Sequence, residues 1–178
     1  MSDYSNYVLR GVIAGLITGI TTSVIYILIS PTVVELTEAI INSRIPQNIP
    51  PEELEKLISN IKNVVNSLTL ITPIIQVVQQ LILGSLFGVL HGFLTLRLKI
   101  RELTSALITG IVYTSTLNLI PLIVMHNLMP ETMELLIKYL GLNTYLIITS
   151  PGISFTTSLT LLSIAKGFSN KLMSVKHF

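Results

Sequence analysis

Side chains able to do chemistry are scarce in the long apolar stretches of this sequence, and they recur at helical spacing. Gln76, Gln79 and Gln80 lie close together, and further steps of four reach Gly84, Gly88 and Gly92, with His91 just before the last. Asn118 and the Ser150-Pro151-Gly152 triplet interrupt two later apolar stretches. An amide is donor and acceptor at once, and in hydrocarbon it seeks a partner, while a proline frees a backbone carbonyl. Thr21, Thr22, Gln76, Gln79, Gln80, Asn118, Ser150 and Pro151 fall at similar depth when counted from one boundary, which predicts a polar layer. Such a layer either locks helices together, each interhelical bond contributing roughly 0.6 to 2 kcal/mol, or lines a water-filled vestibule for a small solute.

His91 is the only histidine inside an apolar stretch, and imidazole can titrate near neutrality or hold a ligand. The plainer reading is a hydrogen-bonded structural group. No second His, Asp or Glu adjoins it in sequence, and His126 and His177 show no metal-ligand spacing. The chain has no cysteine, which excludes disulfides, thiolate metal sites and thiol nucleophiles. With no base, nucleophile or metal cluster visible at membrane depth, neither enzyme activity nor any cofactor or metal is expected. The intramembrane carboxylate or lysine usual in ion-coupled transport is missing as well.

The elements that must position these groups are legible from composition. Half of the 178 residues are hydrophobic, 11% are charged, and mean hydropathy is +0.74, whereas soluble domains carry about 25% charged residues. A spanning helix needs about 20 consecutive, mostly apolar residues. Four windows qualify, at about 8–30, 71–96, 103–125 and 145–164. The first is long enough to span and lacks an A-x-A cleavage pattern, so it is expected to remain as a helix.

With the N-terminus inside, the inner segments hold seven basic and two acidic residues, and the outer ones four basic and seven acidic. That asymmetry predicts cytoplasmic N- and C-termini in a multi-pass cell-membrane protein. Lys166, Lys171 and Lys176 would make a basic inner tail suited to anionic lipid. A net charge of +2 implies no nucleic-acid partner.

The first window carries Gly11, Gly15 and Gly19, the second Gly84, Gly88 and Gly92, and the third Gly110 within a four-step row of small or polar residues. Leucine gains nothing by hiding from lipid, so faces stripped to glycine let backbones approach. The first two series fall in the same half of the bilayer, which predicts that they pack on each other within one protomer, the alternatives being helix 3, helix 4 or another subunit.

The outer segments, 31–70 and 129–143, are expected to hold short amphipathic helices. Val33, Leu36, Ile40 and Ile41 suggest one, ended by the run from Arg44 to Pro51, and Pro51 with Glu52, Glu53 and Glu55 starts another. Leu54, Leu57, Ile58, Ile61, Val64, Val65 and Leu68 give that second helix an apolar stripe that either packs on the bundle or headgroups or docks a partner. Pro130 opens a third, with Gly141 as its C-terminal cap. Pro31, Thr72-Pro73 and Ser150-Pro151 mark expected breaks, kinks or restarts. Leu16-Ile-Thr-Gly-Ile20 recurs as Leu107-Ile-Thr-Gly-Ile111, and Pro31-x-x-x-Glu35-Leu36 as Pro130-x-x-x-Glu134-Leu135, a faint duplication of helix, outer helix, helix.

The sequence therefore predicts an all-α, polytopic membrane protein, a single domain built as a four-transmembrane-helix bundle with short amphipathic helices on the outer side. Its packing-rich, chemistry-poor spans point to a non-catalytic subunit that scaffolds a membrane assembly, with lipid and other membrane subunits or copies of itself as partners. The alternative is a channel or permease for a neutral or weakly polar solute.

Overall fold

A computed structural model describes residues 2–44, 50–141 and 143–175, with side chains described for 4–39, 50, 52–53, 55–141 and 143–165. Among these residues the chain is helical, with no strand. The helices are α1 (Ser2–Arg44), α2 (Pro51–Leu96), α3 (Glu102–Thr114), a π turn (Ser115–Leu119), α4 (Ile120–Leu128), α5 (Pro130–Leu140) and α6 (Asn143–Val175). Four stretches are long and apolar enough to cross a membrane: Tyr4–Ala39, Glu55–Leu96, Glu102–Leu128 and Asn143–Ala165. The interruption expected between Arg44 and Pro51 lies mostly outside the described residues, as do the side chains of Ile40, Ile41, Leu54, Lys166, Lys171 and Lys176.

The structure differs from the sequence reading at the prolines. α1 runs through Pro31, α2 through Pro73 and α6 through Pro151, so segment 31–44 and segment 51–70 continue the apolar helices instead of forming separate short ones. A proline inside a helix leaves the carbonyl four residues earlier without its N–H donor. At two of the three sites the residue before proline supplies one. Ser30 Oγ donates to the Ile27 carbonyl at 2.8 Å, and Ser150 Oγ donates to the Ile147 carbonyl at 2.8 Å. Pro121 is handled otherwise, by the π turn just before it, where the Ile120 N–H reaches the Ser115 carbonyl. Only α5 is a short separate helix, closed by Gly141 at φ +64°, a conformation that costs glycine little.

α1 and α2 form a long antiparallel pair. At about 1.5 Å per residue their 43 and 46 residues extend ~65 and ~69 Å. Toward the connection between them, Lys62 Nζ pairs with Glu38 Oε1 at 2.8 Å, and Val34 and Thr37 face Ile58, Ile61 and Val65 across a narrow gap of about 10 Å³. α6 packs on both α1 and α3, and α5 lies against α1 and α6. Where the four long stretches meet, Ala14, Ala106, Tyr113, Phe155 and Leu159 are buried, with Leu83 and Phe87 of α2 against them. Tyr113 stacks on Phe155 at 4.1 Å between ring centroids, and Phe87 meets both rings edge-on. This aromatic layer fills the centre at mid-height.

Candidate functional site

Small residues set the distances between helices. A Cβ on Gly11 would overlap the Gly84 carbonyl oxygen and stand 2.6 Å from Gly88 Cα. A Cβ on Gly15 would stand 3.1 Å from Gly84 Cα, one on Gly19 2.8 Å from Val77 Cα, and one on Gly88 2.8 Å from the Tyr7 carbonyl. Gly92 faces the side chains of Tyr4 and Tyr7 instead. Gly110 turns to α6, where a Cβ would come 2.5 Å from Thr156 Cγ2. Thr18 and Thr109, which precede Gly19 and Gly110 in the two Leu-Ile-Thr-Gly-Ile segments, are both fully buried.

The residues expected to form one polar layer are distributed over separate contacts. Gln80 accepts a hydrogen bond from the Tyr113 hydroxyl, joining α2 to α3. Gln76 keeps a buried Oε1 without a hydrogen-bond partner. Gln79 is exposed on the outer flank of α2, because at about 100° per residue it points ~100° away from Gln80. Asn118 sits in the π turn, buried, and its Nδ2 donates to the Ile148 carbonyl at 2.8 Å. Its Oδ1 is buried without a hydrogen-bond partner beside Gly152, where an added Cβ would stand 2.7 Å from it. Thr114 also lies on Gly152 and approaches Thr156 at 3.3 Å between hydroxyls. Ser154 of α6 and Thr21 of α1 meet at 3.4 Å.

Asn118 thus ties the π turn to the proline-bearing turn of α6 at the one place where both ladders are perturbed. Replacing it by leucine removes the interhelical bond and presses a bulkier side chain on Gly152. Asn118→Leu is expected to lower stability by about 1 to 3 kcal/mol. The midpoint of detergent-induced unfolding, followed by circular dichroism, checks this, and an unchanged midpoint counts against it.

A second cluster closes the end where α1 begins and α6 finishes. His91 is fully buried, with Nδ1 3.2 Å from Ser105 Oγ of α3 and Nε2 3.4 Å from Ser163 Oγ of α6. Ser105 Oγ also donates to the His91 carbonyl at 3.1 Å. That hydroxyl has one hydrogen, so a proton on Nδ1 lets Ser105 accept from the ring while donating to the backbone. Ser163 Oγ donates its own hydrogen to the Leu159 carbonyl at 2.9 Å, so its approach to Nε2 is a close contact between α2 and α6. Tyr7 of α1 meets the imidazole edge-on at 5.0 Å, Arg10 lies 5.3 Å over the Tyr7 ring, and Arg10 forms an ion pair with Glu102 at the start of α3. Four helices are joined through one histidine.

Sequence reasoning singled out His91 but not its surroundings. Among those surroundings Arg10 is buried and paired with Glu102. The available signal was topological: with α2 running back between them, α1 and α3 run parallel, so Arg10 and Glu102, each near the start of its helix, fall at the same end and carry opposite charge. No group of three or more His, Cys, Asp or Glu side chains able to hold a metal occurs among the described residues. The imidazole is enclosed by tyrosine and serine where α1, α2, α3 and α6 meet. No family model, no curated protein and no solved structure matches the chain.

Proposed function

We propose that this protein is a non-catalytic, multi-pass membrane subunit whose four apolar helices form a bundle in the bilayer, with both termini cytoplasmic, and which scaffolds a membrane assembly. The observation that carries this reading is the length of the α1–α2 pair. Each helix is about twice the ~30 Å of a bilayer's hydrocarbon core, so a paired rod projects beyond the membrane on the outer side. The charge asymmetry supports the orientation. Close backbone contacts, an aromatic centre and a hydrogen-bonded inner end suit a rigid holder of position better than a moving or catalytic part.

A channel or permease for a neutral or weakly polar solute draws support from the buried, unpartnered oxygens of Gln76, Thr109, Asn118 and Thr160. The Tyr113–Phe155 stack stands against it. Native mass spectrometry after gentle extraction from the membrane separates the readings. A defined complex with other polypeptides or with copies of this chain is expected. A closed ring that passes small solutes in liposomes would favour the channel, and a bare monomer would remove the scaffold.

A further inference from the structure

One face of α2 is unusual for a helix with a partner on its other side. Val64, Leu68, Ile71, Ile75, Val78 and Ile82 follow one another at alternating steps of four and three, and Leu57 and Val89 extend the series by seven residues at either end. These eight side chains are between 42% and 58% exposed, so nothing in the protomer covers them. Alternation of three and four is the spacing of a coiled-coil seam, and Ile74, Leu86 and Phe93, also exposed, flank it.

Lipid accounts for only part of it. Leu68 stands 28 residues from Leu96, about 42 Å along the helix, beyond the ~30 Å of hydrocarbon that begins near that end. Leu57, Val64 and Leu68 therefore belong to the projecting rod, among Asn60, Asn63, Asn66 and Ser67. The seam crosses from the outer segment into the span without changing register, and a single helix alongside α2 is what could cover both parts.

The surface also has the shape of a receptor for such a helix. A shallow groove of about 400 Å³ is lined by Ile75, Val78, Gln79 and Ile82, flanked by Ile74 and Leu83. Positions i, i+3, i+4 and i+7 are the four that make the hole for a knob in coiled-coil packing.

The geometry points to the occupant being the same α2 face of further copies of this chain, aligned in parallel. Copies inserted with one topology present α2 in the same direction. Like then meets like at each layer, which is tolerable only without like charges. From Leu57 to Ile82 the one charged residue is Lys62, and Glu38 of α1 neutralises it. Gln79 is self-complementary, since two amides related by symmetry donate to and accept from each other. Branched residues at both alternating positions favour three or four strands over two. The inference rests on the membrane reading above and specifies its assembly.

Absence of native cysteine makes a direct test simple. Single variants Leu68→Cys, Ile75→Cys and Ile82→Cys, oxidised in native membranes, are expected to shift the 19.6 kDa band to a covalent dimer. Leu70→Cys, 79% exposed but on another face of α2, and Ile153→Cys on α6 should remain monomeric. Circular dichroism of each variant checks that the helices persist. Equal cross-linking at the control positions overturns the inference, because it reports random collision. Monomers at all three seam positions overturn it too. If seam cysteines capture a different polypeptide, the self-association fails while the scaffold reading stands; if native mass spectrometry also shows only monomer, both fail.

Discussion

Gly84→Leu is expected to separate α1 from α2 and abolish the native fold in mild detergent. The obstacle to any side chain at this position is backbone. A Cβ there would overlap the Gly11 carbonyl oxygen and stand 2.9 Å from Gly15 Cα, two successive turns of the facing helix. No rotamer of a neighbour relieves that contact, so the axes themselves must part, and dispersion is lost along the pair. Overpacking by ordinary side chains costs about 1 to 3 kcal/mol, and a backbone obstacle places leucine at or above the upper end. Gly92→Ala is the informative contrast. Its added methyl meets ring carbons of Tyr4, the closest at 3.0 Å, and Tyr7 Cβ at 3.2 Å, contacts that need a shift of a few tenths of an ångström instead of a parting of backbones, so a loss of about 1 kcal/mol is expected. Unfolding midpoints in a detergent titration measure both. Equal midpoints for Gly84→Leu and the unaltered protein would sink this account of the α1–α2 contact.

Glu102→Leu should be the most damaging change at the end where α1 begins. It leaves the Arg10 guanidinium buried beside Tyr7 with its carboxylate partner gone. Removing one member of a buried ion pair typically costs about 3 to 5 kcal/mol. The Glu102 side chain is 28% exposed, so water reaches part of the pair, and the lower end of that range, about 3 kcal/mol, is the expectation. Replacing both Arg10 and Glu102 by leucine should recover most of the loss, because no unpaired charge remains. A double-mutant cycle in the same detergent titration reads the coupling. Strictly additive losses would show that the two charges act independently and that Arg10 is held by something other than Glu102.

Both substitutions act on the framework that holds the α2 seam outward. α1 covers one side of α2 through glycine contacts, and the His91 cluster ties α2 to α3 and α6 near its C-terminal end. The exposed series from Leu57 to Val89 is thereby presented on a fixed surface. A loss of oligomers in Gly84→Leu would report loss of the protomer, whereas loss confined to seam substitutions would report the interface itself.

The sequence by itself determined the four apolar helices, because twenty uninterrupted apolar residues leave the backbone little choice but to satisfy its own hydrogen bonds. It also determined the short helix α5 and its glycine stop, which depend only on residues near one another. Proline was misread as a break, at Pro31 and Pro151 because the local rule counts the lost N–H and not the serine beside it. Ser30 and Ser150 return a hydrogen bond to the freed carbonyls, and the helices continue. Only the tertiary structure decided which polar groups meet. Three glutamines within five residues point in different directions around α2, so Gln80 finds Tyr113 while Gln79 is left outside. The surroundings of His91 come from residues 7, 10, 102, 105 and 163, and no periodicity within one helix encodes which residue of another lies opposite. The 3–4 series on α2 was visible as letters, but its meaning depended on exposure. Once α1 occupies the glycine face, that seam is what remains uncovered.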